Sequence, residues 1–308
     1  MQRVMSTKRI ALIDGDELVY KIGHLCQDSY RLLKHPDRGV FQFDSKQDAV
    51  EWLGDDKDDK WELETLVVPH AAHTVKYHLD RILHFIKERT KCVDYTIFLT
   101  SDDEENFRYK IATILPYKGN RETDHRPYYW THTREMIMKM YRGKMETNCE
   151  ADDGMSKAAY ALLDNGNLNY CIVSQDKDLV MVPGDHFNVP KNHLFTVTPE
   201  EGIKFFYKQL LAGDATDNIY GIYRIGMTTA NKMIENLKTT DETILWDFCL
   251  KAYECALGDP KKRPKMPNPD MPLVDRVTEI ARLLWMQSYD GELWEPPSKE
   301  KKDQTVVM

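Results

Sequence analysis

The sequence predicts an α/β protein with a mostly parallel central sheet flanked by helices and followed by a helical C-terminal region. The first observation is that short apolar runs, typical of buried strands, alternate with segments of helical periodicity as far as about residue 199. The second is that only helical periodicity follows that point. Alternating strands and helices are typical of parallel sheets, because a parallel pair of strands needs a crossover connection.

Three apolar runs are predicted to form the core strands. They cover residues 9–13, 93–100 and 170–174. Each run is short, rich in aliphatic residues and followed within two positions by an acidic residue. This pattern indicates buried strands whose carboxyl ends reach solvent at one edge of the sheet.

Helices are predicted where apolar residues recur at intervals of three and four. In the first part of the chain these segments are 18–25, 75–86, 107–114, 128–141 and 150–163. In the C-terminal part they are 199–211, 228–237, 241–257 and 273–287, the last two separated by a basic, proline-rich loop at 259–272. We therefore divide the chain into an α/β core, residues 1–205, and a helical region, residues 206–308.

The segment 36–64 does not fit either pattern. It is acidic, contains the run GDDKDD at 54–59, and lies between two segments that are predicted to belong to the core. We expect it to be an irregular surface insertion.

The composition is that of a soluble globular protein. The chain of 308 residues has 50 Asp and Glu against 42 Lys and Arg, a net charge of −8. Its longest apolar runs are shorter than the roughly 18 residues of a membrane span, and the apolar stretch before Asp14 is too short for a signal peptide. The six cysteines form no CxxC pair, which indicates reduced thiols. We expect a cytoplasmic protein.

Acidic side chains follow each predicted core strand. Asp14 ends the first strand, Asp102 follows the second, and Asp176 and Asp178 follow the third. Because ligands gather at the carboxyl ends of parallel strands, we expect these side chains to line one crevice. Carboxylates without His or Cys partners favour Mg²⁺ or Mn²⁺, and two such ions can serve phosphate hydrolysis. A single aspartate at a strand end is more often a turn former, so the prediction depends on the combination.

Two further acidic motifs lie later in the chain. Glu150, Asp152 and Asp153 open a predicted helix, and Asp214 and Asp217 follow the end of another. Acids in the first turn of a helix are also favoured by the helix dipole alone. Helix capping is therefore the alternative interpretation of the first motif.

Basic and aromatic residues lie between the second strand and the acidic helix. Lys118 and Arg121 are three positions apart, with Tyr117 beside them. A phosphate substrate needs such cations opposite its metal ions, and an aromatic ring can stack on an exposed base. A solvated basic turn is the alternative.

A loop with a glycine at each end opens a later helix. It runs from Gly221 through Tyr223 and Arg224 to Gly226, and Thr228 follows in the helix. Backbone N–H groups at such a helix start can contact a DNA phosphate, although an ordinary helical corner has the same pattern.

In this order the motifs resemble those of the 5′-nuclease (flap endonuclease) superfamily. The matching segments are IDGD at 13–16, Asp102, LPYKGNR at 115–121, EADD at 150–153, SQDKD at 174–178 and GDATDNIYGIYRIGMTTA at 213–230. The acidic start, the helical tail and the size look most like the 5′→3′ exonucleases of podovirus-type phages. The resemblance covers about residues 8–240 and implies a nuclease core with a helix–three-turn–helix DNA-binding module.

The resemblance also implies roles for individual residues around two Mg²⁺ ions, for which Mn²⁺ can substitute. The metal-binding set that it implies is Asp14, Asp102, Glu150 and Asp152 for one ion, Asp153 between the ions, and Asp176, Asp178, Asp214 and Asp217 for the second. Lys118 and Arg121 match the basic residues that contact the scissile phosphate, and Tyr117 matches a position that stacks on the terminal base. The loop 221–226 matches a hairpin that binds duplex phosphates, in some relatives around a K⁺ ion.

Several departures from the family pattern leave alternatives open. Asp103 stands beside Asp102 and is a second candidate ligand, whereas Asp16 is interpreted as a neighbour of the ligands or as a helix cap. The hairpin has Tyr-Arg where relatives often have Pro-Gly. The segment 122–149 is short for a full helical arch.

From these patterns we expect a Mg²⁺-dependent 5′→3′ exonuclease that acts on duplex DNA with a 5′ end and also removes RNA from RNA–DNA hybrids. We expect a monomer with no membrane association and with phage replication proteins as further partners. The alternatives are a structure-specific flap endonuclease, a PIN-like single-strand ribonuclease and a catalytically silent DNA-binding protein. The acidic motifs argue against the silent protein, and the GDATDN module argues against the PIN-like enzyme.

Overall fold

The computed structural model describes residues 8–56, 58–101, 106–120 and 126–298. The strands are β1 (Ile10–Asp14), β2 (Gln27–His35), β3 (Gly39–Phe43), β4 (Glu62–Pro69), β5 (Asp94–Thr100), β6 (Gly143–Glu146), β7 (Tyr170–Val173), β8 (Gly184–Asn188), β9 (His193–Val197), β10 (Gly213–Asp214) and β11 (Ile219–Tyr220). The helices are α1 (Gly15–Leu25), α2 (Lys46–Leu53), α3 (His73–Thr90), α4 (Phe107–Ile111), α5 (Trp130–Met140), α6 (Ala151–Asp164), α7 (Pro199–Ala212), α8 (Met227–Asn236), α9 (Glu242–Gly258) and α10 (Leu273–Leu284).

The central sheet has six strands in the order β6-β5-β1-β7-β8-β9. Every neighbouring pair is parallel except β8 and β9, which are antiparallel. The predicted strands at 9–13, 93–100 and 170–174 correspond to β1, β5 and β7, which lie side by side. The predicted α/β fold with a mostly parallel sheet is therefore confirmed, whereas β6, β8 and β9 are short strands outside the predicted set.

The helices cover both faces of this sheet. Alternate side chains of a strand point to opposite faces, so Ala11 and Ile13 pack with α1, α3 and α5, whereas Leu12 packs with α6, α7 and α10. Because both faces of such a parallel sheet are covered by helices, a ligand binds at the ends of its strands. The carboxyl ends of β1, β5 and β7 are the ends that the acidic residues follow.

The described residues of the segment 36–64 form regular strands and a helix, so the prediction that this segment is irregular was wrong, whereas its position outside the central sheet agrees with a surface insertion. Strands β2, β3 and β4 form a separate antiparallel sheet in the order β3-β2-β4, and α2 packs on it. A capping box between Ser45 and Asp48 starts α2. Phe41, Trp52 and Trp61 form an aromatic cluster beneath it. Strands β3 and β4 are mostly exposed, so their side chains show little of the apolar alternation that marks a half-buried strand.

The C-terminal part is helical, as predicted, and packs directly on the core. Side chains of α7, α9 and α10 belong to the same buried cluster as Leu12 and Phe98 of the central sheet. Helix α7 runs across residue 205, and the division at that residue stays a prediction. Within the described ranges, the helices are too short or too polar to span a membrane.

Candidate active site

Asp14 lies at the point where β1 ends and α1 begins. Its side chain caps α1, accepting from the backbone N–H of Glu17 at 3.0 Å, and it also accepts from the hydroxyl of Ser174 at 3.0 Å. Ser174 directly follows β7, the neighbouring strand. The hydrogen bond therefore joins the ends of two parallel strands and fixes the carboxylate between them.

Asp16 has a different position from Asp14. It accepts from the backbone N–H of Thr100 at 3.1 Å and from the guanidinium of Arg134 at 3.0 Å. These contacts connect the start of α1 to the end of β5. Asp14 is the helix cap, and Asp16 lies beside it with its oxygens bonded to protein groups.

Two adjoining cavities open at this edge of the sheet. The larger, of about 1230 Å³, has an acidic lining formed by Asp14, Asp16, Glu17, Glu150, Asp152 and Asp176. The smaller, of about 330 Å³, is lined by Glu150, Asp152, Asp176, Asp178, Asp214 and Asp217. Lys118, Glu150, Asp152 and Asp176 contribute to both walls. The acidic motifs, which are far apart in the sequence, thus meet around one composite cleft.

The carboxyl groups of this cleft are poorly solvated and close to one another. Burial raises the pKa of Asp14 to about 7, and the charges of Asp16 and Glu17 add to the increase. Burial, followed by the charges of Asp14 and Asp176, raises the pKa of Asp152 well above its ordinary value. The buried Oδ1 of Asp152 has no hydrogen-bond partner among the described residues. Such a set of oxygens favours a bound cation over a set of free carboxylates.

Lysines contact several of these carboxylates. Lys118 donates to Glu150, and Lys177 donates to Asp178 at 2.7 Å and to Asp214. Burial alone would raise the pKa of Asp214, but the contact with Lys177 lowers it. In the described part of the chain, no three acidic, His or Cys side chains already surround a common point at metal-binding distance. A cation that binds here competes with the two ammonium groups.

Tyr117 is buried, whereas stacking on a terminal base, the role that the resemblance implies, needs an accessible ring. The residue is 4% exposed, and its hydroxyl lies 3.0 Å from Glu150 and 2.8 Å from Asp217. The single hydroxyl proton can serve one of these two carboxylates at a time. The accessible ring is that of Tyr109, which is 49% exposed, lines the larger cavity and packs edge-on against Tyr117.

Asp153 does not line either cavity, although the resemblance implies a position between two ions. The side chain is 0% exposed, and Arg108 donates to both of its oxygens at 2.6 and 2.9 Å. It also accepts from the backbone N–H groups of Glu150 and Gln287 at 3.0 and 3.1 Å. Burial alone would raise the pKa of Asp153, but the charge and hydrogen bonds of Arg108 lower it. One turn of helix thus directs Asp152 to the cleft and Asp153 to the protein interior.

The predicted hairpin lies between β11 and α8. Gly221 packs against the backbone of Ala212 and Gly213 so closely that a Cβ atom there would lie 2.2 Å from the Ala212 carbonyl carbon. Arg224 is exposed, has a φ of 64° and packs over the ring of Tyr223. Gly226 caps α8, and Thr228 is exposed in its first turn. The hairpin therefore presents a cation and a helix N-terminus to solvent.

Three of the predicted positions cannot be compared with the structure. Asp102, its alternative Asp103 and Arg121 lie outside the described residues. Between residues 126 and 149, helix α5 and strand β6 are described, and whether a full arch forms stays open in the sequence prediction.

Some residues of the cleft were not predicted from the sequence. Lys177 lies inside the SQDKD motif, where its position between two acids could have indicated charge compensation. Trp130 and Arg134 line the larger cavity, and the guanidinium of Arg134 lies 4.5 Å from the ring centroid. Arg126 lies over the same ring at 3.8 Å. Trp130, Arg134 and Arg126 lie far in sequence from the acidic motifs, so no pattern in the sequence indicates that they line the cleft.

The chain is similar to proteins named 5′-3′ exonuclease. Across 147 residues it is 31% identical to that of Buchnera aphidicola subsp. Schizaphis graminum, covering 44% of this chain and 50% of the relative. Across 189 residues it is 29% identical to that of Buchnera aphidicola subsp. Acyrthosiphon pisum, covering 54% of this chain and 64% of the relative. The chain therefore spans between half and two thirds of the length of these relatives. No protein-family model matches it.

The fold is similar to that of the T5 D15 protein, solved from crystals grown with metal ions. The two share 14% sequence identity with a TM-score of 0.54, over 89% of this chain and 88% of the D15 chain. At this identity the likeness concerns the fold. Together with the sequence relatives, it confirms the resemblance to the 5′-nuclease superfamily that the ordered motifs predict.

Proposed function

We propose that this protein is a divalent-metal-dependent 5′→3′ exonuclease that hydrolyses phosphodiester bonds of duplex DNA. The observation that carries the proposal is the convergence of seven of the nine predicted carboxylates on two adjoining cavities, with Lys118 between them. The names of the two Buchnera relatives support the polarity of the reaction. Mg²⁺ is the expected ion, with Mn²⁺ as a substitute, because the ligands are carboxylates.

The residues of the cleft fit such ions. The unpartnered, buried Oδ1 of Asp152 and the raised pKa of Asp14 show that these two carboxyl groups are not compensated by the basic residues of the cleft. Asp14, Glu150 and Asp152 would hold one ion, and Asp176, Asp178, Asp214 and Asp217 the other, directly or through water. When bound, the ions supply Lewis acidity, which lowers the pKa of a water nucleophile and offsets charge on the phosphate.

The chain's own residues would position the substrate and compensate its charge. Lys118 lies on the wall shared by both cavities, so its ammonium group can exchange Glu150 for a phosphate oxygen. On the buried side, the hydroxyl of Tyr117 can donate a hydrogen bond to either Glu150 or Asp217. We propose Arg121, three residues after Lys118, as a second phosphate ligand.

Duplex recognition is assigned to the hairpin that precedes α8. Backbone N–H groups at Gly226 and the start of α8, the hydroxyl of Thr228 and the side chain of Arg224 would contact phosphates, with Tyr223 supporting Arg224. The family resemblance adds a K⁺ ion at this hairpin. Because phosphate contacts carry no base identity, we expect little sequence preference, and RNA–DNA hybrids with a 5′ RNA end should also be substrates.

The test is hydrolysis of a blunt duplex labelled at its 5′ end, with and without Mg²⁺. We expect early release of labelled mononucleotides only with Mg²⁺, whereas a 3′-labelled duplex should shorten progressively. Loss of the 3′ label first, or equal rates in a chelator, would contradict the proposal. A 5′-flap duplex, an RNA–DNA hybrid and single-stranded RNA, compared at equal concentration, separate the exonuclease from a flap endonuclease and from a ribonuclease.

A further inference from the structure

Residues 285–294, here called the C-terminal strap, run along one face of α6. The backbone N–H of Gln287 donates to Asp153 at 3.1 Å. Further along the helix, Lys157 pairs with Asp290 at 2.7 Å, and the hydroxyl of Tyr289 donates to Asp164 at 3.0 Å. The α6 positions 153, 157 and 164 are spaced by four and seven residues, so they lie on one face. The strap therefore contacts the helix from its first turn to its last.

Aromatic side chains attach the strap to the C-terminal helices. The ring of Trp285 packs edge-on against Phe206 of α7, with centroids 5.0 Å apart. The ring of Trp294 lies 5.1 Å from Trp246 of α9 and 5.5 Å from Phe206. The strap thus fastens α6 to a packed helical body.

Arg108 connects the strap to the first turn of α6. Its guanidinium donates to both oxygens of Asp153, to the carbonyl of Leu283 at 2.9 Å and to the carbonyl of Trp285 at 2.8 Å. The residue is 1% exposed, and the fork of N–H donors can satisfy these partners together. A lysine offers a single nitrogen and cannot span them.

The same contacts reach the catalytic carboxylates through one residue. Asp153 accepts from the backbone N–H of Glu150, and this bond fixes the residue at which α6 starts. Glu150 and Asp152 extend from this turn into the cleft. A displacement of the first turn would move both side chains relative to Asp14.

We propose that Arg108 and the C-terminal strap position the active site by clamping the first turn of α6, with Asp153 as a positioning residue and not a metal ligand. The catalytic consequence rests on the proposed nuclease function. The clamp itself does not, because it is defined by contacts within the protein.

Hydrogen exchange tests the clamp. In Arg108→Lys and Trp294→Ala, amides 151–156 should exchange at least about tenfold faster than in the wild type, because local opening becomes easier. The matched control is Leu83→Ala, which removes a buried side chain from the cluster on the opposite face of the sheet. Unchanged exchange at 151–156 in both strap variants, or an equal increase in the control, would overturn the proposal.

Thermal unfolding with increasing Mn²⁺ tests the consequence for metal binding. Arg108→Lys, Asp153→Asn and Trp294→Ala should keep a saturable rise in Tm, with the half-saturating Mn²⁺ concentration raised about tenfold, as is common when groups behind a ligand are changed. Asp152→Asn should lose the rise, and Leu83→Ala should keep the wild-type concentration.

The outcomes separate the two proposals. If Asp153→Asn loses the Mn²⁺ response as completely as Asp152→Asn, Asp153 is a ligand and the positioning role is wrong. If the wild type neither responds to Mn²⁺ nor hydrolyses DNA, the nuclease function fails. In that case the exchange of amides 151–156 still decides whether the clamp exists.

Discussion

The cleft side and the interior side of the first turn of α6 carry adjacent aspartates in opposite environments. Asp152 faces the cleft, with a raised pKa and an oxygen that lacks a partner among the described residues. Asp153 faces the interior, with a lowered pKa and both oxygens bonded to Arg108. Identical side chains thus form a buried ion pair on one side and line an open cleft on the other. The comparison shows that Asp152 stays without a compensating cation, at a cost to the metal-free fold, although lysines pair with other carboxylates of the cleft.

The largest expected effect is that of Asp152→Asn. Hydrolysis should fall by at least about 10²–10³-fold, because a group that stabilises charge in the transition state is lost. In a chelator, however, the Tm should rise by about 2–4 °C, since a buried charge is removed at a gain of about 1 kcal/mol. Activity is measured on labelled duplex and Tm by scanning fluorimetry. Asp94→Asn, at an exposed ion pair, is the control, and a lower Tm for Asp152→Asn would contradict the comparison.

The second prediction concerns pH and the metal-free protein. Burial holds the folded-state pKa of Asp14 at about 7, above the value of about 4 in an unfolded chain. Between pH 4 and 7 the folded protein therefore binds more protons at Asp14 than the unfolded chain does. The stability that this proton uptake contributes is lost as the pH rises. The Tm of Asp14→Asn minus that of the wild type, measured in a chelator, should become more positive from pH 5 to pH 8. A difference that stays constant or declines over this range would argue against a buried, uncompensated Asp14.

The smallest effect is expected for Tyr117→Phe. The substitution removes the hydroxyl that Glu150 and Asp217 share but keeps the buried ring. We expect kcat to fall about 5- to 10-fold, equivalent to the roughly 1 kcal/mol of one hydrogen bond, with little change in KM. Tyr109→Phe, at the exposed neighbouring ring, should leave kcat at the wild-type value. A larger change in KM than in kcat for Tyr117→Phe would favour a direct contact with substrate.

The sequence predicts much of the cleft because its signals are local. Asp14, Asp176 and Asp178 each follow an apolar run, and parallel strands bring such positions to one edge. The separation of Asp152 from Asp153 was not predicted, because the partner that decides it, Arg108, lies 45 positions away. The burial of Tyr117 was not predicted for the same reason, since it depends on helices that follow much later in the chain.

The sheet formed by β2, β3 and β4 begins and ends at almost the same place. The backbone N–H of His70 donates to the carbonyl of Cys26 at 2.8 Å, and Gln27 pairs with Pro69. Leu33 of β2 and Ala49 of α2 are buried apolar residues that belong to neither main cluster of the protein. The segment 27–69 is therefore an insertion whose first and last residues are paired neighbours. A short turn joining α1 to α3 could replace it, so this segment can vary in length or be exchanged between proteins while the carboxyl edge of the central sheet keeps its geometry.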